Sequence, residues 1–383
     1  MHVLLLTYEF HPTIGGVGNA TLALAKALRD HRGDRVTVVV CRSWWPSEER
    51  VLHEVWDGFD VYRIAYTGIP EERPFRQTVR SLLCFLHVFV RIRKLFPDVI
   101  IAQRLYDLGW FAGMIGRILQ IPSFAYAHGP DDTQHAERRP LRLRLTRWAF
   151  GLNRCVFVTN TFFRELLRRI DHTTAIEIVP NIAPHTPRAV APRALHSAHD
   201  GKFHVACIGR MVVEFGIETK GFSHAIRSLP DLPDTVLHLF GDGAYRPDLE
   251  RIAAETGVAS RVLFHGALGR DALHGELLRM DLLLHPATIE GLPMIVIEAM
   301  SLGVPVMATE VGGIPDIVKD GDTGFLIRPE DSRDISQKIM TVRANGELLE
   351  SVASRAKDFI RIHASGEHIA GLLHTHIRTY TGV

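Results

Sequence analysis

Short apolar runs alternate along the chain with longer amphipathic stretches, and loops containing glycine or proline separate them. The short runs predict buried strands of a parallel sheet, and the longer stretches predict the helices that cross between them. The first unit comprises a strand over His2–Thr7, a glycine-bearing loop, a helix from about Asn19 to Arg29 and a strand over Val36–Cys41. The pattern therefore predicts an α/β fold that opens in a Rossmann-like manner.

The alternation is interrupted once, in a segment rich in proline, alanine and histidine over Pro184–Gly201. It resumes with a strand over Phe203–Ile208. A chain of 383 residues also exceeds what one hydrophobic core usually supports. We therefore predict two domains, residues 1–183 and residues 184–364, followed by a helical tail.

The stretch Asp281–Asp316 contains the clearest candidate site. It predicts a strand over Leu282–Leu284, a loop over Glu290–Pro293, a helix over Met294–Leu302, a strand over Val304–Ala308 and a second loop over Gly312–Pro315. Ligands of open parallel sheets bind at the edge where such loops follow the strands. The two glycine-bearing loops are therefore predicted to lie at a binding edge.

Two carboxylates, Glu290 in the first loop and Glu298 in the helix, stand out in this stretch. A lone glutamate in a helix is ordinarily part of a solvated stripe. Here Ile295–Ile297 and Ala299-Met300 make the helix apolar nearly all round, so Glu298 is expected to need a partner such as a hydroxyl-rich ligand. The binding interpretation is favoured for both carboxylates.

These residues resemble a known family. Glu290 and Glu298, with Gly291-Leu292-Pro293 between them, look like the E-x7-E signature of the retaining, nucleotide-sugar-dependent glycosyltransferases of family 4, and Gly303–Val306 and Val311–Pro315 are similar to the same family. The resemblance implies the GT-B fold, in which two Rossmann-like domains face each other across a cleft. It also implies that the last helix, about residues 365–383, returns to the first domain.

The resemblance implies roles for individual residues. Arg210 and Lys220 would stabilise the departing diphosphate, Glu290 would bind sugar hydroxyls, and Glu298 would bind the ribose. The catalytic candidates are His128, Arg210, Lys220 and Glu290; the donor-binding candidates also include Gly15, Gly16, Gly209, Gly241, His265, Gly291, Leu292, Pro293, Met294 and Glu298. One departure concerns Lys220, which follows Arg210 by ten residues, farther than in the family.

The first domain adds two loops. The loop with Gly15, Gly16 and Gly18 lacks the G-x-G-x-x-G spacing, so a dinucleotide site is not indicated, and turn geometry and ligand approach are equally compatible with its glycines. His128 follows a predicted strand over Ser123–Ala127, and the family carries a functional histidine there. The adjacent Asp131-Asp132 is interpreted as a solvated loop, and no metal is expected.

Charge is unevenly divided along the chain. Residues 1–185 hold 24 basic and 18 acidic residues, whereas the remainder holds 20 and 25. The densest basic run contains Arg138, Arg139, Arg142, Arg144 and Arg147. A solvated helix face and contact with an anionic membrane or acceptor are equally compatible with this run. No nucleic-acid-binding motif accompanies it.

Cysteine spacing and hydropathy bear on the compartment. Cys41, Cys84, Cys155 and Cys207 are widely spaced without a C-x-x-C motif, which favours reduced, buried thiols over a zinc or redox site. The apolar start, Val3–Leu6, is too short for a signal peptide, and the run Leu82–Val90 is too short to span a bilayer. A cytoplasmic protein is expected, either free or peripheral at the inner face of the membrane.

The function implied is that of a retaining, metal-independent hexosyltransferase. It would move a sugar from a UDP-sugar or GDP-mannose type of donor to a glycolipid, a lipid-linked saccharide or a polysaccharide precursor, with no cofactor and no nucleic acid. Two alternatives stay open: another GT-B enzyme such as a sugar-nucleotide epimerase, and a non-catalytic sugar-nucleotide-binding protein.

Overall fold

The computed structural model describes residues 1–11, 16–43, 51–65, 74–128, 140–183, 201–214 and 216–382. The chain divides into two compact units. Unit 1 comprises Met1–Ile182 and Ser365–Val383, and unit 2 comprises Ala183–Ala364. The boundary expected between residues 183 and 184 lies one residue after this division.

Unit 1 is built on an eight-stranded sheet with the order β3-β4-β2-β1-β5-β6-β7-β8. Its strands are β1 His2–Thr7, β2 Arg35–Ser43, β3 Val51–Trp56, β4 Phe59–Ala65, β5 Val99–Ala102, β6 Ser123–Ala127, β7 Cys155–Val158 and β8 Ile176–Ile178. All neighbouring strands pair in parallel except β3 and β4, which form an antiparallel hairpin. The carboxyl ends of the seven parallel strands therefore meet at one edge.

Helices cover both faces of this sheet. They are α1 Gly16–Arg32, α2 Pro74–Leu95, α3 Leu108–Leu119, α4 Pro140–Leu152 and α5 Thr161–Ile170. Apolar side chains of α2, α3, α4 and α5 form one core cluster with the sheet, and those of α1 form another with the C-terminal helix Gly366–Thr381. The central strands β1 and β5 are accordingly buried along nearly their whole length.

The C-terminal helix is held in unit 1 by polar contacts as well as by its apolar stripe. His374 Nε2 lies 2.6 Å from Asp34 Oδ2, and the Tyr380 hydroxyl donates to Glu177 Oε1 at 2.6 Å. The end of the chain therefore packs against the domain that contains its beginning.

Unit 2 contains a six-stranded parallel sheet with the order β13-β12-β9-β14-β15-β16 and a separate two-stranded hairpin, β10-β11. The strands are β9 Phe203–Ile208, β10 Val213–Glu214, β11 Ile217–Glu218, β12 Thr235–Phe240, β13 Val262–Gly266, β14 Leu282–His285, β15 Val306–Thr309 and β16 Phe325–Ile327. The helices are α6 Phe222–Ser228, α7 Arg246–Glu255, α8 Arg270–Leu277, α9 Met294–Leu302, α10 Ile314–Ile317, α11 Ser332–Arg343 and α12 Gly346–His363, and Gly366–Thr381 is α13. Two core clusters lie on the two faces of the large sheet.

The apolar pattern located several elements to the residue, including the strands His2–Thr7 and Phe203–Ile208 and the helix Met294–Leu302. The first helix differs from the prediction, because it begins at Gly16 and not near Asn19. The four cysteines are free and buried, as predicted. Within the described residues, no helix is both long enough and apolar enough to cross a membrane.

Candidate functional site

The loops that follow the strands of unit 2 converge at the carboxyl edge of its parallel sheet. Gly209-Arg210 follows β9, Gly241 follows β12, Pro286–Pro293 follows β14, and Glu310–Gly313 follows β15. Half of the catalytic and donor-binding candidates from the sequence belong to these loops. The edge is therefore the first place to look for a site.

Lys220 and Glu290 form an ion pair at this edge. Lys220 Nζ donates to Glu290 Oε2 at 2.5 Å, and the Lys220 and Glu290 side chains are only 25% and 14% exposed. His285 Nε2 lies 3.1 Å from the same carboxylate oxygen, and the Gly291 N–H donates to the other oxygen at 3.1 Å. The carboxylate is therefore held from three sides, and the Lys220 ammonium has further N–H groups to offer a ligand.

The protonation states in this cluster follow from its surroundings. Burial favours the neutral carboxyl, but the hydrogen bond from His285 and the charge of Lys220 outweigh it, so the pKa of Glu290 is held well below its usual range. Burial lowers the pKa of His285, although Glu290 opposes that shift. Since neutral His285 must donate from Nε2 to reach the carboxylate, its Nδ1 is the acceptor nitrogen.

The hairpin β10-β11 accounts for the ten residues between Arg210 and Lys220. Its antiparallel strands carry the chain out and back, so that the stem of Lys220 packs against Gly209. A Cβ at Gly209 would lie 3.1 Å from Lys220 Cγ, closer than ordinary contacts. The Thr288 N–H also donates to the Thr219 carbonyl at 3.1 Å, which joins the loops of Lys220 and Glu290.

Arg210 lies at the same edge but in a more open setting. Its side chain is 77% exposed, and Nη2 donates to Glu214 Oε1 of the hairpin at 3.2 Å. Exposed pairs of this kind contribute little to stability. Arg210 is therefore available to a ligand at small energetic cost.

Two glycines allow the loops to touch. A Cβ at Gly241, whose φ is +125°, would collide with the carbonyl of Gly209, and a Cβ at Gly312 would collide with the carbonyl of Glu290. The Gly313 N–H also donates to the Gly291 carbonyl at 2.7 Å. The loop that carries Glu290 is thus braced by the second glycine loop identified in the sequence.

Glu298 is buried, as the apolar helix predicted, but protein side chains already hold both of its oxygens. Arg270 Nη2 donates to Oε1 at 2.9 Å, and His274 Nε2 lies 3.1 Å from Oε2. The partner expected from a ligand is therefore supplied by α8. The sequence analysis missed Arg270 and His274, although their spacing of four puts them on one face of a helix.

The remaining donor-binding candidates of unit 2 lie near the same edge. Leu292 and Pro293 are buried, and Met294 begins α9. His265 is the residue before the end of β13, and the Gly241 N–H donates to the carbonyl of the adjacent Gly266 at 2.8 Å. Within the described residues, no group of three His, Cys, Asp or Glu side chains is arranged to hold a metal ion.

Unit 1 places His128 directly after β6 and beside Gln103, which follows β5. His128 Nε2 lies 2.9 Å from Gln103 Oε1, and the imidazole stacks on Tyr126 with ring centres 4.6 Å apart. Burial, and to a lesser degree the charge of Arg104, lowers the pKa of His128 to about 4. The ring is therefore neutral near pH 7.

Gln103 was missed by the sequence analysis. It is fully buried, and its Nε2 has no hydrogen-bond partner within the described part of the chain. An unpaired buried amide is costly, so its retention next to His128 marks this edge of unit 1 as a second candidate position. The sequence offered one signal for Gln103, its place as a polar residue directly after an apolar strand.

Two family models match the chain. The model of the glycosyl transferases group 1 matches residues 196–359, and that of glycosyltransferase family 4 matches residues 14–184. Together the two models cover most of the chain, which belongs to the glycosyltransferase family that they describe.

Curated relatives of this glycosyltransferase include the sulfoquinovosyl transferase SQD2 of Arabidopsis thaliana, 36% identical over 39% of the chain. That match spans only 28% of the relative's own length. The putative teichuronic acid biosynthesis glycosyltransferase TuaC of Bacillus subtilis (strain 168) is 24% identical over 89% of the chain and 85% of the relative.

Solved structures share the fold along the whole chain. Sucrose-phosphate synthase of Thermosynechococcus elongatus superposes with a TM-score of 0.79 at 20% identity, covering 100% of this chain and 99% of that one. HepE of Anabaena, solved in complex with UDP, gives a TM-score of 0.74 at 18% identity and covers 99% and 100%. The architecture of two parallel-sheet domains is therefore that of GT-B glycosyltransferases.

The other candidates of the glycosyltransferase are only partly described. Gly15, Arg138 and Arg139 lie outside the described residues, as do Asp131-Asp132, and only the backbone of Arg142 is described, in α4. Gly16 begins α1 and is exposed. Arg144 and Arg147 are exposed on α4, and Trp148 beside them is 64% exposed.

Proposed function

We propose that the chain transfers a hexosyl group from a nucleoside-diphosphate sugar to an acceptor hydroxyl, with retention at the anomeric carbon and without a metal. The observation that carries the proposal is the Lys220–Glu290 ion pair at a sheet edge walled by Gly209, Gly241 and Gly312. It combines a cation for a diphosphate with a carboxylate for sugar hydroxyls, at a place where backbone atoms can approach a ligand closely.

The cations account for the rate of the transfer step. When the bond between the anomeric carbon and the diphosphate oxygen breaks, negative charge grows on the leaving group. Lys220, held against Gly209 and Glu290, and Arg210 would stabilise that charge more strongly in the transition state than in the ground state. The acceptor oxygen would bond to the same face of the sugar, and its proton would leave with the diphosphate.

The two carboxylates would bind hydroxyl groups of the donor. Glu290 is ionised near pH 7 and would accept hydrogen bonds from the sugar, while N–H groups of the segment Gly291–Met294 would orient it. Glu298 would accept hydrogen bonds from the ribose. Each carboxylate oxygen has two acceptor directions, so the contacts to Arg270 and His274 leave room for a ligand hydroxyl.

His128 would act as a neutral hydrogen-bonding group near the reacting carbon. Its low pKa keeps it uncharged near pH 7, and its contact with Gln103 fixes the ring. A neutral imidazole suits a sugar hydroxyl, because it can donate or accept a hydrogen bond without carrying a charge.

The relatives support the class of donor and suggest the class of acceptor. HepE was solved with UDP, and the TuaC name refers to teichuronic acid biosynthesis. We therefore propose a UDP-sugar or a GDP-mannose type of donor, and a glycolipid, lipid-linked saccharide or polysaccharide precursor as acceptor. The exposed Arg144, Arg147 and Trp148 of α4 would contact an anionic membrane surface that presents such an acceptor.

The test begins with thermal-shift measurements over a panel of nucleotide sugars, because a ligand selective for the folded state raises Tm. The selected donor is then incubated with and without candidate acceptors. Release of nucleoside diphosphate that requires acceptor, with the donor's anomeric configuration kept in the product by NMR, would support the proposal. Conversion of the donor without acceptor would indicate an epimerase, and binding without conversion would indicate a non-catalytic protein.

Metal independence is tested in the same assay. Turnover in excess EDTA is expected to equal turnover without it, since Arg210 and Lys220 would take the role of a cation at the diphosphate. Activity that disappears in EDTA and returns with Mg²⁺ or Mn²⁺ would contradict this part of the proposal.

A further inference from the structure

A buried histidine closes the interior side of the Lys220–Glu290 ion pair. His285 is the last residue of β14, and its side chain is only 2% exposed. Its Nε2 lies 3.1 Å from Oε2 of Glu290, the same oxygen that accepts from Lys220 Nζ. One carboxylate oxygen therefore has two partners, a lysine ammonium and a buried imidazole.

The number of hydrogen bonds that Glu290 can still accept follows from these contacts. A carboxylate has two oxygens, and each has about two acceptor directions. Lys220 and His285 take both directions of Oε2, and the Gly291 N–H takes one direction of Oε1. The direction that remains is at Oε1, and the Glu290 side chain is 14% exposed, so a ligand can reach it. The carboxylate therefore has room for one further hydrogen bond.

The two partners of Oε2 differ in how firmly they hold it. A lysine ammonium lies at the end of a flexible four-carbon stem and acts as a point charge. Lys220 also has further N–H groups, which would serve the diphosphate. The imidazole of His285, in contrast, projects from β14, which lies between β9 and β15 in the sheet. His285 therefore supplies the more rigid of the two contacts.

The chain next to His285 also supports the loop of Lys220. A Cβ at Gly221, whose φ is +66°, would collide with the carbonyl of Pro286. The residue after Lys220 therefore packs directly on the residue after His285. The lysine and the histidine reach the carboxylate of Glu290 from two segments that touch each other.

The direction of the contact follows from the protonation states. Burial lowers the pKa of His285, although Glu290 opposes that shift. Burial alone would raise the pKa of Glu290, but His285 and Lys220 outweigh it and hold that pKa well below its usual range. Near neutral pH the imidazole is neutral and the carboxylate is ionised, so Nε2 has to carry the proton of the ring.

We propose that His285 is a positioning residue that fixes the carboxylate of Glu290 so that it accepts a hydrogen bond from a single hydroxyl of the donor sugar. This inference rests on the proposed function, since it assumes that Glu290 binds the sugar. A carboxylate held at Oε2 presents only one direction of Oε1 to the ligand, which selects one hydroxyl position. A carboxylate free to turn would present either oxygen and would select less sharply.

The experiment measures by calorimetry the Kd of UDP-glucose and of GDP-mannose, and of analogues in which one sugar hydroxyl at a time is replaced by hydrogen. The penalty of a replacement is the factor by which it raises the Kd. For the hydroxyl bound by Glu290, the penalty in the native chain should be about tenfold, the loss of one hydrogen bond to a charged group. Glu290→Gln identifies that hydroxyl, because its penalty should fall in this variant.

Two substitutions of His285 test the positioning role. His285→Leu removes the N–H donor, and it should reduce the penalty at this one hydroxyl to within about threefold while the other penalties stay unchanged. His285→Gln should keep the native penalty, because an amide N–H can donate to Glu290 over a similar reach. A role in packing alone would not act on one hydroxyl of the ligand.

His274 offers a matched control. It makes the equivalent contact with the other carboxylate, since its Nε2 lies 3.1 Å from Glu298 Oε2 and its side chain is 11% exposed. Glu298 would bind the ribose, which all the analogues share. Any loss of affinity in His274→Leu should therefore be the same for every analogue, and each penalty should equal its native value.

A measurement on the native chain decides the outcome even if His285→Leu does not fold. ¹⁵N NMR of the imidazole nitrogens, assigned with His285→Gln, should show the proton of His285 on Nε2 near neutral pH, both with and without UDP. A proton on Nδ1 would leave Nε2 unable to donate to Glu290 and would overturn the inference.

The outcomes separate the inference from the function on which it rests. Unchanged penalties in His285→Leu, or an equal fall at several hydroxyls, would overturn the role of His285 and leave the donor site in place. A penalty that is lost in His285→Gln as well would do the same. Absence of binding by both UDP-glucose and GDP-mannose at millimolar concentration would overturn both the inference and the proposed function. A penalty lost at one hydroxyl in His285→Leu and kept in His285→Gln would support both.

Discussion

Loops follow the parallel strands at the carboxyl edge of both sheets, but the side chains in these loops differ between the two units. In unit 2 the edge is ionic, with Lys220 paired to Glu290 and Arg270 paired to Glu298. In unit 1 the candidate pair at the edge, His128 against Gln103, is neutral, although the charge of the nearby Arg104 helps to lower the pKa of His128. A parallel sheet thus fixes where a ligand can approach, while the residue types that follow its strands decide what that ligand can be.

The contrast fits the two halves of the proposed reaction. A diphosphate that gains charge needs ionised groups held in place before the bond breaks. A sugar hydroxyl or an acceptor hydroxyl is neutral and needs uncharged donors and acceptors. The expected effects of substitution should therefore be large and ionic in unit 2, and tied to pH or to surface charge in unit 1.

The largest effect is expected at the cations of unit 2. Lys220→Ala and Arg210→Ala should each lower turnover about a hundred- to a thousandfold, or roughly 3–4 kcal/mol, because each removes a preorganised donor to the leaving group. The double variant should lose less than the product of the two, since both groups serve one charge. Arg210→Lys should not restore full activity if the contact is bidentate. Steady-state kinetics with saturating acceptor measures the turnover of all four variants.

Lys338 supplies the matched control. It also forms a half-buried pair with a carboxylate, Asp320 at 2.9 Å, but on another part of unit 2. Lys338→Ala should leave turnover within about twofold of the native value, because this pair is not part of the candidate site. Near-normal turnover in Lys220→Ala beside a disabled Arg210→Ala would show that Lys220 has no part in transfer.

The next effect concerns His128 and the pH dependence of stability. Because burial depresses its folded pKa to about 4, below the unfolded value near 6.5, its contribution to stability is complete above pH 6.5 and is lost as pH falls toward 4. The loss should reach up to about 3 kcal/mol over that window. In His128→Gln this part of the pH dependence of the free energy of unfolding should disappear. Urea unfolding at a series of pH values measures that free energy.

Gln103→Glu sharpens this test. A carboxylate at the position of the Gln103 amide would favour the imidazolium, raise the pKa of His128 and shift its titration toward neutral pH. The pH profile of turnover should shift in the same direction if a neutral His128 is required. A profile identical to that of the native protein would indicate that His128 has only a structural role.

The sequence predicted the ionic edge better than the neutral one. Glu290, Glu298, Lys220 and Arg210 were found because charged residues in apolar surroundings, and a resemblance to a family, mark them individually. The ten-residue separation of Arg210 and Lys220 is accommodated by a hairpin that neither apolar period nor turn residues indicated. Each strand of this hairpin has only two residues, too few for an alternation of apolar and polar positions to mark it.

The sequence analysis also missed the residues of other elements that form hydrogen bonds with the predicted site residues. None of His285, Arg270, His274 and Gln103 was identified as a site residue. Each contributes through one contact with a residue 5 to 28 positions away. A sequence shows that a buried carboxylate needs a partner, but several basic residues satisfy that need equally well until the packing is known.

A smaller effect separates the two carboxylates of unit 2. Glu298→Gln should weaken donor binding about tenfold, about 1.4 kcal/mol, because the neutral amide accepts ribose hydroxyls less strongly. Arg270→Gln breaks the same ion pair but keeps the carboxylate, so it serves as the control. Both variants should lower Tm to a similar degree, while only Glu298→Gln should raise the Kd markedly in calorimetry. Equal Kd values would reduce Glu298 to a structural partner of α8.

The smallest effect is expected on the outer surface of unit 1. Arg144 and Trp148 are both exposed and four residues apart on α4, so they lie on one face of the helix. A basic residue near an anionic bilayer contributes about 1 kcal/mol, so Arg144→Gln should lower partitioning to anionic liposomes about fivefold. The attraction should also weaken as salt shortens the Debye length.

Arg168→Gln removes the same charge from an exposed position of α5 and serves as the control. It should have a smaller effect, because the exposed Trp148 of α4 would anchor the membrane contact on that helix. Equal losses in the two variants would indicate attraction to the net positive charge of unit 1 alone, and binding that is insensitive to salt would contradict an electrostatic contact.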